Sequence, residues 1–216
     1  ESTITYSRLN CLQNNILDRG TTFLPEEGFP FFYRTHKIYK RSYDLFDVRI
    51  FIHRNPLDTL ISSYYFYKER KVPFIDDSKS IRERLHNIDF YVRYKIDDWV
   101  KFYVTSIRHA DFIMNYTNMK QDTEAALASL LKFLDWEYDD HLVKRAVLMS
   151  SFEEVRRMGR KMQQEYGNGP RDGSFKGEFT RSGLESQFCH ELQEETVSFV
   201  LEKFTDFKNL YPSIIV

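Results

Sequence analysis

The stretch VRIFIHRNPLDTLISSYYFY, residues 48–67, carries the clearest structural signal in this sequence. It opens with the compact apolar run Val48–Ile52, which predicts a buried strand. Three polar residues, His53, Arg54 and Asn55, then precede Pro56, and proline suits the first position of a helix because the N–H that it lacks would have no partner there. We therefore predict a strand that turns directly into a helix running from Pro56 to about Arg70.

The rest of the chain alternates between apolar runs and segments with helical spacing. Further strands are predicted at Ser2–Tyr6, Phe31–Tyr33 and Phe112–Tyr116, and helices at Leu9–Leu17, Ile81–Arg108, Asp122–Phe133 (capped by Asp122), Asp139–Leu148 and Leu184–Phe207. Ser150–Thr180 is rich in Gly, Arg, Lys and Gln and is predicted to be a long functional loop. Because strands alternate with helices, we expect an α/β fold, a three-layer sandwich whose central parallel sheet is flanked by helices. No internal repeat or linker divides the sequence, so one domain is expected over residues 1–216.

Composition limits the possible functions. The chain has 216 residues, is 42% hydrophobic and carries a net charge of −1, so it is globular and has no overall field that would attract nucleic acid or a membrane. Its two cysteines, Cys11 and Cys189, do not form a disulfide framework, which favours a reducing compartment and a cytoplasmic location. Neither a membrane-spanning run nor a signal peptide is evident. Because the sequence begins with Glu1, we expect upstream residues, and the sequence does not decide whether they include a targeting or anchor segment.

Two turns from strand to helix carry residues suited to an anion. Parallel α/β folds bind ligands where strands end and helices begin. At the first turn, Arg8 would add positive charge to the free N–H groups of a helix N-terminus. At the second, Arg54 could hold a phosphate with two parallel hydrogen bonds while Ser62 donates to it. Taken alone, each turn is also explained by a surface arginine beside an ordinary helix cap.

A family resemblance favours the anion interpretation. The segment Arg54–Ser62 resembles the R-N-P-x-D-x-x-x-S motif of sulfotransferases that use 3′-phosphoadenosine 5′-phosphosulfate (PAPS). The motif is fairly specific, because it sets several residue types at fixed spacing behind a strand. The resemblance implies the P-loop-like sulfotransferase fold. It also implies that Arg54 and Ser62 hold the 3′-phosphate of the donor.

A second motif of the family lies upstream and carries the proposed base. Arg34-Thr35-His36 resembles the family's K-T-H. The resemblance implies that His36 takes the proton of the acceptor and that Arg34 lies close to the sulfuryl oxygens. A histidine, with an ordinary pKa of about 6.5, suits proton transfer near neutral pH.

Three further segments follow the family in chain order. Tyr116–Lys120 resembles Y-E-D-M-K, and Ser150–Phe152 resembles T-S-F. Arg171-Asp172-Gly173, with Phe175-Lys176 and Phe179-Thr180, resembles a shortened R-K-G…W-K-x-x-F-T, in which Asp172 replaces a basic residue and Phe175 a tryptophan. The resemblance implies that Tyr116 and Phe152 contact adenine and that Arg171 and Gly173 contact the 3′-phosphate. It also implies a contact of Ser151 with the nucleotide.

The first loop departs from the pattern. Relatives begin with P-K-S-G-T-T-W or P-R-S-G-x-x-W, and Tyr6–Leu12 aligns with this only if a Ser-Gly pair is missing after Arg8. Cys11 then stands where an adenine-stacking tryptophan is usual. Either the pair has been deleted, which would shrink the anion cradle, or two residues are absent from the sequence; the good flanking register favours the second. The resemblance implies that Arg8 stabilises the leaving phosphate and that Asn10 contacts the donor.

The implied activity is a PAPS-dependent sulfotransferase that moves a sulfuryl group to a hydroxyl by in-line displacement, with PAP as product. No metal is expected, because no Cys, His and Asp cluster has ligand spacing. The acceptor would be a small molecule or a carbohydrate; its identity and the oligomeric state are not decided by the sequence. Variable loops would bind it, and the candidates are Gly20–Pro30, Lys71–Arg84 and Tyr166–Gly173.

Three other functions compete with this one. A non-catalytic PAP-binding protein of the same fold is the main alternative, because the first loop is irregular. A P-loop kinase would need a G-x-x-x-x-G-K-[ST] sequence, which is absent. A nucleic-acid module would use the basic and aromatic residues from Tyr64 to Lys101, but acidic residues balance the charge there.

Overall fold

The structure, a computed structural model, describes residues 13–15, 32–69, 78–166 and 186–208. The chain divides into two compact units, Glu1–Ile38 and Tyr39–Val216. The predicted strand Ser2–Tyr6 lies outside the described residues. The single domain expected over residues 1–216 stays a prediction.

The first unit contains a pair of short parallel strands. Strand β1 (Gln13–Asn15) pairs with β2 (Phe32–Arg34), with Gln13 opposite Phe32 and Asn15 opposite Arg34. The strand predicted at Phe31–Tyr33 is therefore confirmed, one residue further along. The helix predicted at Leu9–Leu17 is wrong at Gln13–Asn15, because pairing with β2 overrides the local helical spacing, and asparagine is a weak helix former.

The second unit contains two parallel strands, and the candidate site residues follow their carboxyl ends. Strand β3 (Ile50–His53) pairs with β4 (Phe112–Asn115) in a register that sets His53 beside Asn115. Both strands were predicted, but the expected burial of the first is wrong at Ile52, which is 53% exposed. Successive residues of a strand point to opposite faces. Phe51 and His53 pack on Tyr103, and Ile52 points away from them.

Helices follow the strands through the remainder of this unit. Among the described residues they are a 3₁₀ helix at Arg41–Leu45 and the α-helices α1 (Pro56–Glu69), α2 (Lys79–Arg84), α3 (Ile88–His109), α4 (Tyr116–Gln121), α5 (Thr123–Phe133), α6 (Asp140–Met149), α7 (Phe152–Tyr166), α8 (Phe188–Glu191) and α9 (Glu194–Lys208). The helices predicted from Pro56, Asp122 and Asp139 are confirmed within a residue or two. The side chain of Asp122 accepts a hydrogen bond from the Ala125 N–H, as expected of a cap.

The core forms between α1 and α3. Residues at helical spacing on α1 are almost fully buried: Leu57, Leu60, Ile61 and Tyr64. Of these, Leu57, Leu60 and Tyr64 pack in one cluster with buried side chains of α3, which are Tyr91, Val92, Ile96, Trp99 and Tyr103. Each such side chain stabilises the fold by about 1.5–3 kcal/mol through loss of contact with water. This packing fixes α1, and with it the turn that precedes α1.

Three segment predictions need correction. The continuous helix Ile81–Arg108 is two helices, because the Asn87 side chain accepts a hydrogen bond from the Phe90 N–H and starts α3 anew. The long loop Ser150–Thr180 contains α7 over Phe152–Tyr166; its later part lies outside the described residues. The helix Leu184–Phe207 is divided into α8 and α9, because the Gln193 N–H turns to donate to Asp89.

Candidate functional site

Two predicted ligand residues stand at the same edge of the second sheet. Arg54 directly follows β3 and Tyr116 directly follows β4. Since the strands are parallel and His53 is in register with Asn115, both residues leave the sheet at its carboxyl edge. The Arg54 guanidinium carbon lies 4.9 Å from the centre of the Tyr116 ring. Residues 62 positions apart in the chain are thereby brought into contact, a cation–π pair.

The turn between β3 and α1 is held by Asn55. Its side-chain oxygen accepts a hydrogen bond from the Leu57 N–H at 2.9 Å, and its carbonyl accepts from both the N–H and the hydroxyl of Thr59. An asparagine that bonds to the backbone two residues on forms a tight local turn. Pro56 is the first helical residue, as predicted. The turn gives Arg54 a defined place at the start of α1.

Asp58 lies between Arg54 and the chain near Ser186. Its carboxylate, 2% exposed, is 3.5 Å from an Arg54 guanidinium nitrogen, a long ion pair. It also accepts hydrogen bonds from the N–H of Ser186 at 2.8 Å and of Gln187 at 3.0 Å. The Arg54 side chain is 17% exposed. A guanidinium bordered by a carboxylate and an aromatic face retains its charge and part of its surface for an anion.

The two serines of α1 have different surroundings. Ser62 is exposed and lies one helical turn beyond Asp58, in the row that starts at Arg54. Ser63 is partly buried, and its hydroxyl is 2.8 Å from the Tyr91 hydroxyl. The Ser62 side chain is therefore open to solvent, whereas Ser63 bonds to Tyr91; the contact of Ser62 with a 3′-phosphate stays a prediction.

A second cation lies beside Tyr116. The start of α4 is capped by Asn115, whose side-chain oxygen accepts from the Thr117 N–H at 2.8 Å and from the Asn118 N–H at 3.3 Å. One turn later the Lys120 ammonium lies 6.0 Å from the Tyr116 ring centre. Lys120 was not among the predicted site residues, although its spacing of four from Tyr116 on a helix would have indicated it.

Ser151 and Phe152 form the start of α7. The Ser151 hydroxyl accepts a hydrogen bond from the Glu154 N–H at 3.3 Å, which is the bond of a helix cap. Phe152 is 40% exposed. An exposed aromatic ring can stack on a base, and that role of Phe152 stays a prediction.

A comparison with protein families decides the classification. The family model described as the sulfotransferase domain matches residues 26–209. The chain belongs to the sulfotransferase domain family. No curated protein matches the chain by sequence.

Solved structures resemble the chain in fold. Mouse sulfotransferase SULT7A1 complexed with PAP matches 86% of this chain and 68% of its own, at 17% identity and a TM-score of 0.62. Retinol dehydratase in complex with androsterone and PAP gives 16% identity and a TM-score of 0.61, and its complex with retinol and PAP gives 17% and 0.56. The chain spans 56% and 57% of those two chains. These likenesses confirm the expected fold class, an α/β sulfotransferase fold with a parallel sheet.

The other predicted site residues of this sulfotransferase-family chain are placed in part. Arg34 ends β2, and His36 is exposed two residues later, beside a turn in which the Thr35 hydroxyl accepts from the Lys37 N–H at 3.0 Å. Both lie in the first unit. Outside the described residues are Arg8, Asn10, Arg171 and Gly173.

His53 was not among the predicted site residues, although it is the neighbour of Arg54. His53, the last residue of β3 and the neighbour of Arg54, is 8% exposed and packs edge-on against Tyr103 at 5.8 Å between ring centres. Burial lowers its pKa below the usual 6.5, so the ring is neutral at neutral pH. The strand end therefore carries its positive charge on Arg54 and not on the imidazole.

Residues 13–15, 32–69, 78–166 and 186–208 hold neither a membrane-spanning helix nor a metal-binding cluster. No helix there has the length and apolar content that a membrane crossing needs. No group of three or more His, Cys, Asp or Glu side chains there is arranged to hold a metal ion.

Proposed function

We propose that this chain binds PAPS at the carboxyl edge of β3 and β4 and transfers its sulfuryl group to a hydroxyl acceptor. The observation that carries the proposal is the contact of Arg54 with Tyr116, with the exposed Ser62 eight residues beyond Arg54 on α1. An arginine, a serine hydroxyl and an aromatic ring at one strand edge are suited to a nucleotide that carries a separate phosphate. Membership of the sulfotransferase family supports the transfer chemistry.

In this proposal each residue of the binding edge has one task. Arg54 holds the 3′-phosphate with paired hydrogen bonds, and Ser62 donates to the same group. Tyr116 and Phe152 contact adenine. The proposal also retains the predicted nucleotide contacts of Asn10, Ser151, Arg171 and Gly173. The Ser151 hydroxyl accepts a hydrogen bond from the Glu154 N–H, which holds Ser151 at the start of α7 beside Phe152.

The proposed reaction is an in-line displacement at sulfur. The acceptor oxygen forms a bond to sulfur while the bond from sulfur to the bridging oxygen of the 5′-phosphate breaks. PAP leaves with that electron pair, and the proton of the acceptor passes to His36. Arg34 stabilises the sulfuryl oxygens and Arg8 the leaving phosphate. Such reactions depend mainly on positioning and on charge stabilisation.

The acceptor is proposed to be a small molecule or a carbohydrate with a free hydroxyl. The retinol dehydratase structures contain androsterone in one case and retinol in the other, both of which carry a hydroxyl. We extend to this chain only the class of a small hydroxyl compound. A cytoplasmic site of action is part of the proposal, since the sequence lacks a disulfide framework and the described cysteine, Cys189, is free.

A non-catalytic PAP-binding protein is the second candidate. Strand β1 replaces the helix that the first loop should enter, and the family match begins only at residue 26. Both observations concern the half of the site that would hold the sulfuryl group. They leave the 3′-phosphate half, around Arg54, unaffected.

Two measurements test these candidates. Calorimetric titration should give PAP a dissociation constant at least about tenfold below that of adenosine 5′-phosphate, because Arg54 and Ser62 have a ligand only in PAP. Equal constants would refute PAPS recognition. Incubation with radiolabelled PAPS and a panel of retinol, androsterone and simple sugars should yield a labelled product. Tight PAP binding without labelled product would favour the second candidate.

A further inference from the structure

Asp58 is buried more deeply than its place on a helix requires. A carboxylate in the first turn is favoured by the helix dipole and can remain in water. Asp58 is instead 2% exposed. A charged group in such a position is costly unless charge-assisted hydrogen bonds replace the lost water. The bonds that replace it identify what Asp58 holds.

The partners of Asp58 come from a distant part of the chain. Oδ2 accepts from the Ser186 N–H at 2.8 Å and Oδ1 from the Gln187 N–H at 3.0 Å, across 128 and 129 residues of sequence. Ser186 has a φ of 56°, in the left-handed region that residues other than glycine seldom adopt. The carboxylate therefore holds a strained turn against α1.

The same oxygen that receives the Ser186 N–H also faces Arg54. Arg54 Nη2 lies 3.5 Å from Asp58 Oδ2, and the guanidinium carbon lies 4.9 Å from the centre of the Tyr116 ring. Asp58 thus joins Arg54 to the turn at Ser186 through a single carboxylate oxygen. Displacement of its carboxylate would remove both contacts at once.

We infer that Asp58 is a positioning residue for recognition of the 3′-phosphate. It orients the Arg54 guanidinium and fastens the turn Ser186–Gln187 to α1. The inference rests on the proposed function, since it assigns Arg54 to that phosphate. Asp58 itself touches no ligand, because an anion beside its carboxylate would be repelled.

Asp89 provides a matched control. Its carboxylate also accepts a hydrogen bond from a distant backbone N–H, that of Gln193, at 2.8 Å across 104 residues. Gln193 follows the Ser186 turn in the chain and precedes α9. Asp58→Asn and Asp89→Asn therefore both remove the charge of a carboxylate that accepts a distant backbone N–H, and only the first concerns Arg54.

The experiment measures dissociation constants of PAP and of adenosine 5′-phosphate for the wild type and both variants. Asparagine turns an NH₂ toward one of the N–H groups, so the turn is released on that side. We expect Asp58→Asn to raise the dissociation constant of PAP about tenfold and that of adenosine 5′-phosphate less than about twofold. The difference corresponds to the loss of roughly one charged hydrogen bond. Asp89→Asn should lower the melting temperature and leave the ratio of the two constants unchanged.

Each outcome bears on a different claim. A wild type without preference for PAP overturns the proposed function and this inference with it. A wild type that prefers PAP, together with an unchanged ratio in Asp58→Asn, overturns the inference alone. An equal fall of the ratio in Asp89→Asn also overturns it, because the effect would then be general loosening.

A second measurement does not depend on the folding of a variant. Hydrogen–deuterium exchange of the wild type should show slower exchange at Ser186 and Gln187 with PAP than with adenosine 5′-phosphate, at equal saturation. Equal protection by the two nucleotides would contradict the link between the turn and the 3′-phosphate.

Discussion

The replacement of Arg54 by lysine tests the centre of the proposed donor site. Lysine retains the positive charge but offers a single ammonium in place of a planar fork. One of two charged hydrogen bonds to the 3′-phosphate is lost, and the stacking over Tyr116, 4.9 Å away in the wild type, is weakened. Since the retained charge offsets part of this, we expect a net loss of about 2 kcal/mol, roughly thirtyfold in the dissociation constant of PAP.

Titration calorimetry at one fixed ionic strength measures this change, because binding of phosphates depends on salt. The constant for adenosine 5′-phosphate should change less than about threefold, since that nucleotide lacks the 3′-phosphate. Arg49→Lys is the matched control. Arg49 stands just before β3, at the opposite end from Arg54, and its guanidinium binds both oxygens of Asp111. The reasoning is refuted if Arg54→Lys binds PAP like the wild type, or if Arg49→Lys loses as much affinity.

Three further predictions concern catalysis, the serine pair and stability at high pH. His36→Ala should lower the rate of sulfuryl transfer at least about a hundredfold, because a general base contributes that much or more. The control His141→Ala, at another exposed histidine, should leave the rate unchanged. A His36→Ala variant as fast as the wild type would remove His36 from the mechanism. Ser62→Ala should weaken PAP binding by about threefold to tenfold, whereas Ser63→Ala should leave PAP binding unchanged and cost about 1 kcal/mol of unfolding free energy in urea titrations, because the hydrogen bond between Ser63 and Tyr91 is lost. The opposite pattern would exchange the roles of the two serines. Burial raises the pKa of Tyr91 from 10.0 to about 12, so its neutral form stabilises the fold fully below pH 10, and this contribution is lost as the pH rises toward 12. Tyr91→Phe should remove the part of the stability loss that Tyr91 causes between pH 10 and 12. An unchanged dependence of stability on pH in this variant would contradict the role of Tyr91.

The elements predicted correctly are those whose signals are local. Pro56 and the apolar run before it marked the turn from β3 into α1, and Asp122 and Asp139 marked helix starts through side chains that bond the nearby backbone. The wrong predictions depended on partners elsewhere. Gln13–Asn15 is a strand because β2 pairs with it, and the break between α8 and α9 follows from a bond to Asp89. Such partners leave no trace in local spacing.

The sequence by itself determined the family and the residue types of the candidate site, because the motif from Arg54 to Ser62 sets several of them at fixed spacing after an apolar run. Tertiary structure decided which of those residues meet. The register of two parallel strands brings Arg54 to Tyr116, and packing of α1 on α3 partly buries Ser63 and leaves Ser62 exposed. It also places the Asp58 carboxylate against the backbone of Ser186. The physical reason is that a carboxylate or a ring is satisfied by whatever the folded chain places beside it, and spacing along the chain does not specify that neighbour.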